Sequence, residues 1–380
     1  MKKLYWRPQR MSLSVLGLLA LLAFCSLVTV ETYRVHERQP HFQTKTRAAQ
    51  TALRGFKAIK DARKHKGLEI DPETDPAETG LIGELITPIT TNTGHASAKQ
   101  TSVNPNFAAV VVDMLYRAGV REGDLVAVGM SGSFPALNIA VAAALEAMKL
   151  VPITISSAGS SQWGANHPAL TWPEMERILV GEGIVSTRSA AVSLGGVDDR
   201  AVGLSPRGKG MLEDAIVDAG LVLLESKSYA DSLDQRMALY REHAGEREIR
   251  AYINVGGGTT SVGTRLGKQM FKPGLNRSPP RGPTVDSVMS RFAARGVPVL
   301  HLTKVESLAA SYGLPLQPTT MPAVGDGSVF VRDAHNRWLA AALLAVLVLA
   351  AVGLLRFDLG HRLLPKASAS PTHAKPETMV

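Results

Sequence analysis

Two uncharged apolar runs, residues 11–30 and 338–355, constrain the fold of this chain more than any other feature. About twenty residues rise about 30 Å as an α-helix, which matches the hydrocarbon thickness of a bilayer. A helix in a soluble core rarely stays apolar on every face over such a length. We therefore predict two transmembrane helices, at 11–30 and 338–355, with one folded region between them.

The residues around the two runs predict how the chain is oriented. Lysines and arginines concentrate at 1–10 and again after 355, which favours a cytoplasmic location for both ends. A cleaved signal peptide is the alternative for the first run, but residues 27–31 contain no small-x-small cleavage site. We expect a cytoplasmic segment at 1–10, a disordered basic tail at 356–380 and an extracytoplasmic folded region.

Residues 31–70 are predicted to form a basic juxtamembrane helix or linker. Apolar residues recur at helical spacing at Ala49, Leu53, Phe56 and Ile59. The net charge of the chain is +9, which favours an anionic partner. The cations of this helix either form a solvated face packed on the domain or bind anionic lipid or a polyanion; the candidates are Arg54, Lys57, Lys60, Arg63 and Lys64.

Residues 71–330 are predicted to form an α/β domain with a mostly parallel sheet and flanking helices, of Rossmann-like type. Short apolar runs alternate with helical patterns, and each run is nearly continuous in apolar residues, as is typical of strands buried on both faces. The predicted strands are 125–130, 151–156, 189–194, 221–224, 251–255 and 297–302. The single cysteine, Cys25, excludes a disulfide within the chain and a cysteine-ligated zinc site.

In such sheets, ligands gather where strands end and helices begin. The first candidate loop contains Ser131, Gly132 and Ser133, with Asn138 in the helix that follows. This loop can bind an anion at the helix N-terminus, cap the helix with its serines, or present a nucleophile. The Gly-x-Ser-x-Gly pattern of a nucleophile elbow is broken at Ser133, and in the catalytic alternative Ser131 or Ser133 would act with His167 as the base.

Two further loops are candidates for ligand binding. One follows the next strand and is either a ligand wall or a polar connection; its candidates are Ser160, Ser161, Trp163 and Asn166. The other is glycine-rich, so its backbone N–H groups can approach an anion; its candidates are Gly256, Gly257, Gly258, Thr259 and Thr260. It lacks the lysine spacing of a Walker A loop. The histidines and acids have no metal-ligand spacing, so we expect no metal and no cofactor.

Several of these segments resemble the poly-γ-glutamate system protein family of bacteria. The matching segments are 131–140, 155–166, 199–206 and 254–264. The resemblance implies an accessory protein of the bacterial inner membrane. Its partners would be the lipid bilayer, the poly-γ-glutamate polymer, and the synthase and export subunits, with no nucleic acid.

The resemblance implies no known reaction, so it leaves open whether the protein is an enzyme. Poly-γ-glutamate carries about one carboxylate per residue at neutral pH, which suits a basic, membrane-anchored domain. Two alternatives remain. One is a serine-dependent hydrolase or transferase acting on γ-glutamyl amides, and the other is a small-anion-binding α/β module.

Overall fold

The computed structural model of the chain describes residues 13–263, 266–282 and 284–356. The predicted segment 1–10, residues 11 and 12 of the first apolar run, and residues 357–380 of the predicted tail lie outside the described residues.

The helices, in chain order, are α1 (Leu13–Thr32), α2 (Phe42–His65), α3 (Ala96–Ser102), α4 (Phe107–Ala118), α5 (Pro135–Met148), α6 (Trp172–Gly181), α7 (Pro206–Asp218), α8 (Tyr229–Ala244), α9 (Thr259–Val262), α10 (Gly267–Met270), α11 (Val288–Ala294), α12 (Val305–Ser311) and α13 (Arg337–Arg356). The strands are β1 (Arg34–Arg38), β2 (Thr90–Asn92), β3 (Leu125–Ser131), β4 (Val151–Ser157), β5 (Ser160–Ser161), β6 (Asn166–His167), β7 (Leu170–Thr171), β8 (Ala191–Ser193), β9 (Ile249–Val255), β10 (Gly274–Asn276), β11 (Val299–Leu302) and β12 (Val331–His335).

The chain divides into two compact units, and the first contains the two long apolar helices. Of the described residues, this unit combines 13–37 with 332–356. Within it α1 contacts α13, and β1 pairs with β12. Both helices have the length and composition needed to cross a membrane, and they coincide with the two predicted apolar runs to within a few residues.

The second unit, residues 38–331, is built on a sheet whose order is β10-β11-β9-β3-β4-β8. The pairs from β11 to β8 are parallel, whereas β10 is antiparallel to β11. The predicted mixed α/β class, with a mostly parallel sheet, is therefore confirmed. The predicted strand at 221–224 is reduced to an isolated bridge between Val192 and Leu223, and β10 was not predicted because its three residues give no periodicity.

Helices cover both faces of this sheet, which explains the continuous apolar character of the central strands. In β3, Val126 and Val128 belong to the core shared with α2, α4 and α5. Leu125 and Ala127, which alternate with them, belong to the core shared with α8 and α11. Because successive side chains of a strand point to opposite faces, a strand buried on both sides needs apolar residues at every position.

Helix α2 is part of the globular unit rather than a linker that precedes it. Phe56 and Ile59 are fully buried in the core that also contains α4 and α5. At Gly55, an added Cβ would lie only 2.7 Å from a side-chain carbon of Ile139 in α5, so the glycine permits close contact between the two helices. The compact unit therefore begins at residue 38 and includes α2, which precedes the predicted domain boundary at residue 71.

Candidate functional site

The strand order of the sheet reverses between β3 and β9. The chain runs outward from β3 through β4 to β8, and then returns to place β9 against the other side of β3. In open α/β sheets, ligands bind outside the carboxyl ends of the strands at such a reversal. The loops that follow β3 and β9 are therefore the candidate functional site.

These two loops are in direct contact. Gly256 has a positive φ of 85°, and a Cβ added there would lie 3.3 Å from the Cβ of Ser131 and 3.5 Å from the ring of Phe134. The N–H of Gly256 donates to the Leu302 carbonyl at 3.0 Å, which fixes the start of the glycine-rich loop. A larger residue at Gly256 would be strained by its backbone conformation and crowded by the loop after β3.

The hydroxyl-rich loop after β4 joins the same edge of the sheet. The N–H of Ser161 donates to the hydroxyl of Ser133 at 3.0 Å, and the N–H of Gly132 donates to the Ser157 carbonyl at 3.1 Å. A Cβ at Gly132 would lie 3.0 Å from the carbonyl oxygens of Ala158 and Gly159. All three predicted loops therefore converge around residues 131–134.

The serines after β3 shape a turn and do not cap α5. The N–H of Ser133 donates to the Ser131 hydroxyl at 3.2 Å. Phe134 occupies the N-cap position, and among the described residues no side-chain cap hydrogen bond is formed there. The amide of Asn138, which is fully buried, donates to the Ser131 carbonyl at 2.9 Å. The hydrogen bond from Asn138 therefore helps to position Ser131. The serine pair does not cap α5.

The structure does not bring His167 to the serines. Its Nδ1 accepts from the Ala169 N–H at 3.1 Å, and its Nε2 lies 3.5 Å from a carboxylate oxygen of Glu84. Among the described residues, no hydrogen bond joins it to Ser131 or Ser133. Burial lowers the pKa of His167, so the imidazole is less able to carry a charge. The predicted pairing of these serines with His167 is not formed.

A second histidine supports the glycine-rich loop from below. His301 is buried, and its Nδ1 accepts from the amide of Asn254 at 3.0 Å. Burial, together with the charges of two lysines, lowers the pKa of His301 to about 4; the lysines are Lys268 and Lys304. The neutral imidazole holds Asn254, which in turn donates to the Gly256 carbonyl at 2.8 Å. His301 therefore has a supporting role.

Two predicted ligands in the loop after β4 are occupied by structural hydrogen bonds. Asn166 accepts from the N–H of Glu84 at 2.9 Å and donates to the carbonyl of Glu84 at 2.7 Å. Ser160 is fully buried and donates to the Ser161 carbonyl. Trp163 is half-buried and packs against the main core. Asn166 and Ser160 hold the loop in place, so of the predicted polar ligands in this loop only Ser161 is left for contact with a ligand.

In the glycine-rich loop, the threonine hydroxyls have polar neighbours within the protein, whereas two glycine N–H groups are available to a ligand. The Thr259 hydroxyl accepts from the N–H of Asp198 at 2.9 Å, and the buried Thr260 hydroxyl lies 3.3 Å from that of Ser232. The N–H groups of Gly257 and Gly258 have no hydrogen-bond partner among the described residues. The ammonium group of Lys268 would lie 3.4 Å from a Cβ added at Gly257. This arrangement of donors can accept a carboxylate or a phosphate.

A buried ion pair fixes the opposite side of the glycine-rich loop. Arg236 lies 2.6 Å from the carboxylate of Asp199, and both side chains are almost inaccessible to solvent. Ser232 and Ser193 donate to the same carboxylate at 2.6 and 3.0 Å. Since Asp199 is saturated by these groups, it is not a metal ligand, and no cluster of potential metal ligands occurs among the described residues.

Lys99 is a site residue that no sequence pattern predicted. It comes from the polar helix α3, and its residue is only 3 % exposed. Its ammonium group donates to the carbonyl of Ser133 and, at 3.0 Å, to the hydroxyl of Ser161. It also stands 3.8 Å from the centre of the Phe134 ring. A lysine in a run of Ala, Ser, Gln and Thr has no periodic or motif signal, so only the tertiary structure identifies it.

A basic groove lies apart from these loops, along the exposed side of α2. Its volume is about 1090 Å³, and its cationic lining consists of Arg47, Arg54, Lys57, Lys60 and Lys149. Lys60 lies 3.4 Å from Glu78, and Lys149 lies 3.0 Å from Glu122. Across the described part of the chain, no carboxylate comes within 4 Å of the other three cations.

Two of the predicted polyanion-binding residues do not line this groove. Arg63 is buried and donates to the carbonyl oxygens of Glu69 and Ile82 at 2.9 Å. It therefore holds the segment after α2 in place and is not accessible to lipid or polymer. Lys64 is exposed but lies outside the groove. The expectation was wrong for Arg63 because helical spacing alone does not show which polar position of α2 faces a neighbouring segment.

No family model, curated protein or solved structure matches this chain.

Proposed function

We propose that this chain is a two-pass accessory protein of poly-γ-glutamate synthesis or export in the bacterial inner membrane. In this proposal α1 and α13 span the bilayer and the globular unit lies outside the cytoplasm. The unit holds the anionic polymer along the α2 groove, beside the synthase and the export subunits. The proposal assigns no reaction to the groove.

The observation that carries this proposal is the set of cations in the α2 groove that lack acidic partners. Arg47, Arg54 and Lys57 are exposed, and none of them forms an ion pair within 4 Å among the described residues, although Glu78 and Glu146 also line the groove. A surface lysine or arginine is often paired with a nearby acid, and such a pair contributes little to stability. Unpaired cations along one groove instead attract a chain that carries a carboxylate on each residue.

The size of the effect follows from the number of cations in contact with the polymer. Near an anionic surface each cation contributes about 1 kcal/mol. Neutralising two of them should therefore cost about 2 kcal/mol, which corresponds to a roughly 30-fold weaker affinity. The attraction is electrostatic and exposed to solvent, so it should also weaken as salt is added.

The test measures binding of fluorescently labelled poly-γ-glutamate to the full chain in uncharged detergent micelles by fluorescence anisotropy. We expect the double variant Arg54→Gln/Lys57→Gln to bind roughly 30-fold more weakly and with a shallower salt dependence. The matched control is Lys227→Gln/Arg295→Gln, which removes the same charge from exposed positions outside the groove and should bind nearly as the wild type does. Equal loss in both double variants would attribute binding to net charge and contradict the proposal. Undetectable binding by the wild type at low salt would also contradict it.

A further inference from the structure

The surroundings of Lys99 lack the anion that a buried lysine usually has. Among the described residues, no carboxylate lies within 4 Å of its ammonium group. Helix α12 packs against α3 and carries Glu306, but that carboxylate accepts a hydrogen bond from Ser97 at 2.7 Å. A buried ammonium without a counter-ion is destabilised relative to its neutral form.

This burial lowers the pKa of Lys99 to about 7. At neutral pH, a substantial fraction of the side chain is therefore a neutral amine, which can accept a proton. Lysines that act as general bases are found in such desolvated positions.

Ser161 is the hydroxyl that this amine reaches. The two groups are 3.0 Å apart, within the distance required for proton transfer between a nucleophile and its base. Ser161 belongs to a partly exposed stretch with Gln162 and Trp163, whereas Lys99 is buried behind it. Ser133 holds both members of the pair, since its hydroxyl accepts from the Ser161 N–H and its carbonyl accepts from Lys99.

We propose that Ser161 and Lys99 form a serine–lysine nucleophile pair that acts on carboxylic amides or esters. This assignment replaces the predicted nucleophiles Ser131 and Ser133, and it replaces His167 as the base. Serine–lysine pairs are a known convergent variant of the serine–histidine arrangement. The proposed activity does not depend on the α2 groove or on its binding of polymer.

In the first half of the reaction, the Ser161 hydroxyl oxygen forms a bond to the substrate carbonyl carbon while its proton passes to the neutral amine of Lys99. The bond between that carbon and the leaving nitrogen or oxygen then breaks, and the leaving group takes the proton from Lys99. An ester between Ser161 and the acyl group remains. In the second half, a water molecule gives a proton to Lys99 while the water oxygen forms a bond to the acyl carbon. The bond between that carbon and the Ser161 oxygen then breaks, and Ser161 takes the proton back from Lys99.

The test uses the full chain in detergent and a fluorophosphonate probe, which forms a covalent bond with activated serines. Labelled peptides are identified by mass spectrometry, and the rate of labelling is followed from about pH 6 to about pH 9. We expect labelling at Ser161, with a rate that falls as the pH is lowered through about 7. Ser161→Ala should abolish this labelling, and Lys99→Met should slow it by at least about 100-fold. The matched controls Ser186→Ala and Lys209→Met should leave it unchanged.

Two results would overturn the proposal. One is a folded wild-type protein in which Ser161 stays unlabelled over the whole pH range. The other is labelling that survives Lys99→Met at the wild-type rate. If Lys99→Met does not fold, as judged by circular dichroism, the wild-type pH profile decides, because a rate that is independent of pH would exclude an amine base that titrates in this range.

Discussion

Replacing Arg236 by methionine should strongly destabilise the globular unit, because it leaves a buried carboxylate without its counter-ion. The ion pair between Arg236 and Asp199 is 2.6 Å long, with side-chain exposures of 4 % and 6 %. Burial alone raises the pKa of Asp199, but the charge and hydrogen bonds of Arg236, with those of Ser232 and Ser193, bring that pKa below its ordinary value. The native state therefore depends on an ionised Asp199.

The expected loss follows from these contacts. Arg236→Met removes a charge-assisted hydrogen bond, of about 1.5–3 kcal/mol, and leaves an uncompensated buried charge. Breaking a buried pair in this way costs about 3–5 kcal/mol in total. The two serine donors remain, so we expect a value near the lower limit, about 3 kcal/mol. Adding Asp199→Asn removes the charge, and the double variant should recover about 1–2 kcal/mol of this loss.

The free energy of unfolding can be measured by urea titration of the full chain in detergent, monitored by tryptophan fluorescence, because Trp172 is fully buried in the core of the unit. The control is Arg177→Met, which breaks a pair at 2.7 Å between the exposed Arg177 and the partly buried Glu174 and should cost no more than about 1 kcal/mol. The reasoning is refuted if Arg236→Met costs no more than this control, or if the double variant is as unstable as the single one. The contribution of Asp199 should persist above the ordinary carboxyl pKa of 3.8 and disappear as the pH falls through its lowered folded value.

Two other outcomes are expected from the loops of the candidate site. Gly132→Ala should lower the free energy of unfolding by about 1–3 kcal/mol, because its added Cβ would be crowded by two carbonyl oxygens. The control is Gly210→Ala in α7, where no atom lies within 4 Å of the added Cβ. In the same urea titration this control should be neutral or slightly stabilising. The melting temperature of the wild type should rise with pH between about 7 and 10.5, because the unfolded chain keeps a proton on Lys99 that the folded chain releases. Thermal unfolding of Lys99→Met followed by circular dichroism should lack this rise, and a persistent rise in that variant would assign it to another group.

Much of the fold could be predicted because its signals are local. The continuous apolar strands predicted a parallel sheet with two covered faces, and the glycines after residues 131 and 255 marked loops at one edge of it. The weaker predictions concerned segments whose role depends on a distant partner. The strand predicted at 221–224 failed for this reason.

The candidate site was less predictable than the fold, because hydrogen-bond partners are not encoded in spacing. The loops that contain Ser131 and Gly256 lie against each other in the structure, but their predicted binding role stays a prediction. Asn166 and Arg63 were also selected as binding residues, yet Asn166 is held by the backbone of the distant Glu84, and Arg63 by the carbonyl oxygens of Glu69 and Ile82 in the segment after α2. Lys99 carried no signal at all.

The sequence by itself determined the two apolar helices, the α/β class and the loops next to the reversal of strand order between β3 and β9. These features could be predicted because hydrophobic periodicity and glycine positions are local properties of the sequence. Tertiary structure alone decided which polar groups have hydrogen-bond or ion-pair partners within the protein and which remain available to a ligand. Lys99 and Lys57 are the same residue type, and no sequence pattern distinguishes their roles. Folding buries Lys99 beside a serine and leaves Lys57 exposed in a groove. The physical reason is that the charge state of an amine and its access to a ligand depend on burial and on nearby charges, which arise only when distant segments pack together.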